Sequence, residues 1–126
     1  MSETPEFTEQ LPERMPSAEW LINDARERLA EGHTPEDLRM QWDHAWGGAT
    51  ELLAPIPVLA AWLGVEKSTI YMARTRKRTD GSPVWPDEDE TILGRKMWRF
   101  ASVALNRAST PGRGWNLRSE IREGAK

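Results

Sequence analysis

Apolar side chains recur at the 3.6-residue period through the first half of the chain, and this spacing predicts two helices. Ala18, Leu21, Ile22, Ala25 and Leu29 share one face of residues 17–31, with Ser17 as a cap and Gly32 as the stop. Leu38, Trp42, Ala45 and Trp46 form a second stripe. It opens on Thr34-Pro35-Glu36-Asp37: a capping hydroxyl, a proline suited to the first helical position, and two acids that complement the positive helix end. Gly47-Gly48 stops it, and residues 51–54 read as a short connection.

Shorter helices are predicted at 57–63, opened by Pro57 and closed at Gly64, and at 67–77. Ser82-Pro83 and Pro86 then break helicity. Residues 84–85 and 96–100 read as two short strands around an acidic loop at 87–90 and a turn at Gly94; helix returns at 101–108. Residues 1–16 hold three prolines and four glutamates with no periodicity, and are expected to be a flexible acidic tail. A Pro/Gly break at 110–114 leads into a basic tail at 115–126.

The length of 126 residues suits one domain of ordinary size. With 38% apolar and 29% charged residues the balance is that of a soluble globular chain, and no run approaches the ~18 apolar residues of a membrane span. There is no cysteine, hence no disulfide framework and no thiolate metal site, and a reducing cytoplasm is the expected setting. The acidic N-terminus is not a secretory signal. The net charge of −3 conceals a division. Residues 1–66 carry four basic and thirteen acidic groups, a net of −9; residues 67–126 carry thirteen basic and seven acidic groups, a net of +6. Such asymmetry points to a nucleic-acid-binding portion joined to something else.

The run Ile56–Tyr71, IPVLAAWLGVEKSTIY, has the spacing of a helix-turn-helix. The two helices of that unit cross steeply, near a right angle. Ala60 is small where the second helix packs, Gly64 tolerates the left-handed backbone of the turn, Val65 seals the pair and Ile70 anchors the second helix. With Ile70 facing inward, Lys67, Ser68, Tyr71, Arg74, Thr75 and Arg78 face outward. Lys67 suits a guanine or a phosphate, Ser68 any base, Tyr71 a thymine methyl or a phosphate. The run Arg74-Thr75-Arg76-Lys77-Arg78 would mostly neutralise phosphates, or simply complement the helix dipole. The seven tryptophans are spread along the chain, and Trp85 and Trp98 are expected in the core.

From Ala60 to Arg107 the chain resembles the winged helix-turn-helix of the MerR-like and phage excisionase group, most of all the short actinobacterial and actinophage type. The resemblance rests on Leu63-Gly64-Val65, then Val84-Trp85-Pro86, then Gly94-Arg95-Lys96-Met97-Trp98, then a closing helix at 101–106. It covers the middle of the chain only; residues 1–55 lie outside it. It implies a mainly α fold: a winged helix-turn-helix at 56–108 with a two-stranded β-hairpin wing, an added helical extension at 17–55, and tails at 1–16 and 109–126. Two features depart from the group. Ile56-Pro57 replaces the usual Thr-Pro or Ser-Pro cap, and the wing loop carries Asp87-Glu88-Asp89-Glu90, which phosphates would repel. Either that loop points away from DNA, or the wing meets DNA only through Arg95, Lys96 and Arg99.

The expected function is sequence-specific binding of double-stranded DNA, as a transcriptional regulator or a recombination directionality factor of a phage or mobile element. A homodimer or cooperative array is expected because one short helix and a wing bury limited surface. Arg113, Arg118 and Arg122 could form a minor-groove arm or merely solubilise the tail. Two rivals stand beside this. Small terminase subunits of phages carry a similar module, which suggests packaging. Alternatively, the acidic helices with Trp20, Trp42 and Trp46 would bind a host or partner protein through residues 17–55. Catalysis finds no support: His33 and His44 are the only histidines, with no triad or nucleophile elbow around them. Residues 87–90 lack the glycine and bidentate glutamate of a calcium loop, so no metal or cofactor is expected.

Overall fold

The computed structural model describes residues 6–77 and 84–109. Two capped helices open it. In α1 (Ala18–Ala30) the Ser17 hydroxyl accepts from the Trp20 N–H at 3.1 Å, and in α2 (Pro35–Ala45) Thr34 accepts from the Asp37 N–H at 3.1 Å. Each cap satisfies one of the free donors of a helix start. The Trp42 indole N–H donates to Asp24 at 2.9 Å and ties α2 to α1. Gly47 and Gly48, at φ 63 and 86, reverse the chain into a single 3-10 turn at Ala49–Glu51.

Strand β1 (Leu53–Ala54) follows, where a plain connection was expected. Two residues are too few to show an alternating pattern, and only a partner makes them a strand. That partner is β3 (Arg95–Arg99), with Leu53 opposite Arg99 and Ala54 opposite Trp98. Strand β2 (Glu90–Ile92) pairs with the other edge of β3, giving an antiparallel sheet in the order β1-β3-β2. The first strand of the hairpin is thus at 90–92 and not at 84–85. The hairpin is closed by the two-residue loop Leu93-Gly94, both at positive φ (52 and 82), the mirror-image turn that matches strand twist. Its register carries the pairing back through Glu90, whereas Pro86, without an N–H, cannot continue a ladder. Val84 instead donates its N–H to the Arg76 carbonyl at 3.2 Å.

Helices α3 (Ile56–Leu63) and α4 (Lys67–Thr75) meet at Gly64, whose φ of 74 and ψ of 32 lie in the left-handed region. The Gly64 N–H reaches the Ala61 carbonyl at 3.3 Å and the Val65 N–H the Ala60 carbonyl at 3.0 Å, the paired bonds that close a helix end on glycine. No side chain caps α3 at Pro55, in line with the missing Thr or Ser. Helix α4 ends two residues earlier than expected because Arg76 is already extended (φ −99, ψ 153). Helix α5 (Phe100–Ala108) closes the described structure and begins one residue before the expected start.

The first segment also departs from expectation. Residues 6–16 are docked: Phe7 forms a parallel bridge with Leu53, the Thr8 N–H donates to the Leu53 carbonyl at 2.8 Å, and the Leu53 N–H donates to the Glu6 carbonyl at 3.1 Å. Pro16 is buried and its carbonyl accepts from the Trp62 indole at 2.9 Å. Open strand edges recruit such segments, because their backbone groups need partners. The expected tail at 110–126, Arg78, and the Ser82-Pro83 break lie outside the described residues.

Helix α1 packs on α5, and one hydrophobic core joins Leu21 and Trp42 of the first helices to Leu59, Ile70, Trp98 and Phe100. A smaller cluster of Leu53, Ile92 and Met97 lies on the other face of the sheet. The fold is mainly helical with a small three-stranded antiparallel sheet. Among the described residues no helix is long and apolar enough to cross a membrane.

Candidate nucleic-acid interface

Helix α4 turns Ile70 inward, 2% exposed, and packs Ala73 against the same core. The helical period then puts Lys67, Ser68, Tyr71 and Thr75 on the open side, and all four are exposed. Arg76 and Lys77 follow, also exposed. Met72 is 52% exposed beside them, an apolar residue that sequence reasoning did not assign to this face. The N-cap is the exposed Glu66, which makes no side-chain cap bond; no acid follows in the first turn, and Lys67 stands there against the positive end of the helix dipole. A cation in that place disfavours the helix by a few tenths of a kcal/mol, so helix stability does not account for it. The Thr75 hydroxyl donates to the Met72 carbonyl at 2.9 Å and so spends its proton within the helix.

Arg74 is half-buried, with its guanidinium carbon 5.6 Å from the centroid of the Trp98 ring. Trp98 meets Trp85 edge to face at 5.9 Å, and Arg107 stacks on Trp85 at 5.4 Å. This row of cations and rings joins α4 to β3 and α5. Trp98 also donates its indole N–H to the Pro86 carbonyl at 2.9 Å, and Arg107, 1% exposed, donates to the Val84 carbonyl at 3.0 Å. Both tryptophans are buried, as expected. Arg107 was not foreseen; an arginine late in an amphipathic helix ordinarily signals a solvated end.

The hairpin divides the three cations expected on the wing. Alternate residues of a strand point to opposite faces, so Lys96 shares a face with Trp98, the side that α4 approaches, and its cross-strand neighbour Thr91 shares it too. Both are exposed. Arg95 and Arg99 lie on the opposite face with Met97. Arg95 is held by both oxygens of Glu9, at 2.8 and 3.4 Å. Arg99 lies between Glu51 at 3.6 Å and Asp89 at 3.8 Å. Glu51 in turn grips Arg39 through two hydrogen bonds of 3.1 and 2.8 Å. That bond, above all, holds the Arg39 guanidinium pKa above its ordinary value, against the opposing effect of burial. Lys96 alone of the three stands exposed on the α4 side; Arg95 and Arg99 are committed to carboxylates.

The acidic run is likewise split. Asp87 is exposed. Asp89 accepts from the Arg99 N–H at 2.8 Å and from the Ser102 hydroxyl at 3.1 Å, placing a carboxylate at the start of α5, which has no side-chain cap of its own at Arg99. An anion there is favoured by the helix dipole. Glu90 enters β2 opposite Met97, on the face away from Trp98. Among the described residues no group of three histidine, cysteine or acidic side chains is arranged to hold a metal ion.

Comparison of the chain with family models, with curated proteins and with solved structures gives no match.

Proposed function

We propose that the protein binds double-stranded DNA as a winged helix-turn-helix, α4 being the helix that enters the major groove and the β2–β3 hairpin the wing. The observation that carries this reading is the composition of the open face of α4. Its solvent side holds Lys67, Ser68, Tyr71 and Thr75, with Arg76 and Lys77 just past its end; the acid at its start is the exposed N-cap Glu66. A lysine at the positive helix end and an exposed tyrosine are poor choices for stability and suitable ones for phosphates and base edges. Lys96 on the α4 side of the hairpin extends the positive surface, while the inward turn of Asp89 and the placement of Glu90 on the far face lessen the repulsion that the acidic run would otherwise exert.

In this reading the work is done by binding alone, in transcriptional regulation or in directing recombination. The limited area of one helix and one wing calls for a dimer or a cooperative array. Trp20 and Met40, 48% and 71% exposed on α1 and α2, are where self-association would act. The same two residues favour a second reading, in which the acidic first helices bind another protein and the α3–α4 unit is a scaffold. Selection from a pool of random duplexes, with affinity followed against salt, separates them. DNA binding predicts an enriched motif and an affinity that falls steeply with salt. A protein that retains no duplex at low salt refutes the DNA reading and leaves the second.

A further inference from the structure

Ser68, Tyr71, Met72 and Thr75 recur at the i, i+3, i+4, i+7 spacing, so they share one stripe, about 100° wide, on the open side of α4. All four are exposed, Tyr71 and Met72 at 52% each. The stripe carries no charge and no amide. Glu66 and Lys67 stand at its start and Arg76 and Lys77 past its finish, while Arg74, at its edge, is stacked on the Trp98 ring. Thr75 has also given away its donor. Its hydroxyl proton goes to the Met72 carbonyl at 2.9 Å, which leaves a methyl group and an acceptor. The C-terminal half of the stripe thus offers a phenol ring, a thioether and a methyl.

Such a surface is unsuited to the paired hydrogen bonds that read guanine or adenine, which need arginine, lysine, asparagine or glutamine. It suits the one apolar group of the major groove, the 5-methyl of thymine. An unbranched thioether adapts its shape to such a group. The cations around the stripe, with Lys96 on the α4 side of the hairpin, suit the phosphates that flank the groove. From Tyr71 to Thr75 the helix rises about 6 Å, at ~1.5 Å per residue, close to two base steps of ~3.4 Å.

We propose that Tyr71, Met72 and the Thr75 methyl read thymine methyl groups, so that the preferred duplex carries adjacent A·T pairs beneath the C-terminal half of α4. The proposal rests on the DNA-binding reading above and names the base that this face selects.

The test uses the full chain and two duplexes of the selected motif, one with thymine and one with deoxyuridine in place of every thymine. The replacement removes methyl groups and leaves pairing and charge unchanged. A buried methyl contributes about a factor of four in affinity, so wild type is expected to bind the deoxyuridine duplex about fifteenfold more weakly when two methyls are read. In Met72→Ala that ratio should fall to about fourfold, and in Tyr71→Ala combined with Met72→Ala to near one. Thermal midpoints should stay within about 2 °C of wild type, because the replaced side chains are exposed. Equal affinity of wild type for the two duplexes overturns the methyl reading and leaves the DNA reading standing. A ratio that neither variant changes overturns it as well, and so does a selected motif without thymine. A wild type that retains no duplex at low salt refutes the DNA reading itself, and this proposal with it.

Discussion

The guanidinium carbon of Arg74 lies 5.6 Å from the centre of the Trp98 ring, so a residue of the proposed DNA face is also a strut between α4 and the sheet. A cation over an indole contributes about 0.5–2 kcal/mol, more as the pair is desolvated. Arg74 therefore has two jobs that can be separated by its neighbour Arg76, which is exposed and has no such ring contact among the described residues.

Arg74→Ala is expected to lower the unfolding free energy by about 1 kcal/mol, whereas Arg76→Ala should change it by less than ~0.5 kcal/mol. Urea melts of the two variants check this. Equal stabilities would mean that the stacking contributes nothing.

Lys67→Ala combined with Tyr71→Ala should weaken duplex binding and blur site preference while leaving the thermal midpoint within about 2 °C of wild type. Both side chains are exposed, where substitutions usually cost little. Gel shifts on the selected motif measure the effect, and unchanged affinity with unchanged preference contradicts the assignment of α4.

The faces of the hairpin predict three different outcomes for three neighbouring cations. Lys96→Ala should reduce the salt dependence of binding by about one phosphate contact and leave stability alone. Arg95→Ala should do little to either, since its partner Glu9 is a surface carboxylate and such pairs contribute ~0–1 kcal/mol. Arg99→Ala should destabilise by about 1 kcal/mol, because a half-buried cation beside both Glu51 and Asp89 is lost while those carboxylates keep Arg39 and Ser102. Salt titrations and denaturant melts on the three variants read this out, and a slope that changes with Arg95 in place of Lys96 reverses the proposed face.

Removal of residues 1–11 is expected to lower stability by about 1–3 kcal/mol, by freeing both backbone groups of Leu53 and uncovering one edge of the sheet. A melt indistinguishable from that of the full chain would return the segment to the status of a tail.

The local elements could be read from the chain because their causes are local. Ser17, Thr34 and Pro35 start helices with their own atoms, Gly64 and Gly94 supply left-handed turns through the lack of a side chain, and the spacing of Ile70 from Lys67, Ser68 and Tyr71 sets which side of α4 faces out. Trp85 and Trp98 were recognisable as core because so large an apolar surface is rarely left in water. The hairpin was only half legible. Its turn is written in Gly94, but its register depends on which residues of the other strand pair with Met97 and Lys96, a choice made by burial of Ile92 against Leu53.

Packing between distant segments settled the rest. Leu53-Ala54 is a strand because β3 offers it a ladder, and residues 6–9 are ordered because Leu53 still has free backbone groups on its other side. No local pattern encodes either pairing. The expected wing cations illustrate the same limit. Arg95, Lys96 and Arg99 are equivalent in charge and adjacent in sequence, yet strand alternation sends one toward α4 and two toward Glu9, Glu51 and Asp89. Charge belongs to a residue, but its availability belongs to the face on which the folded strand leaves it.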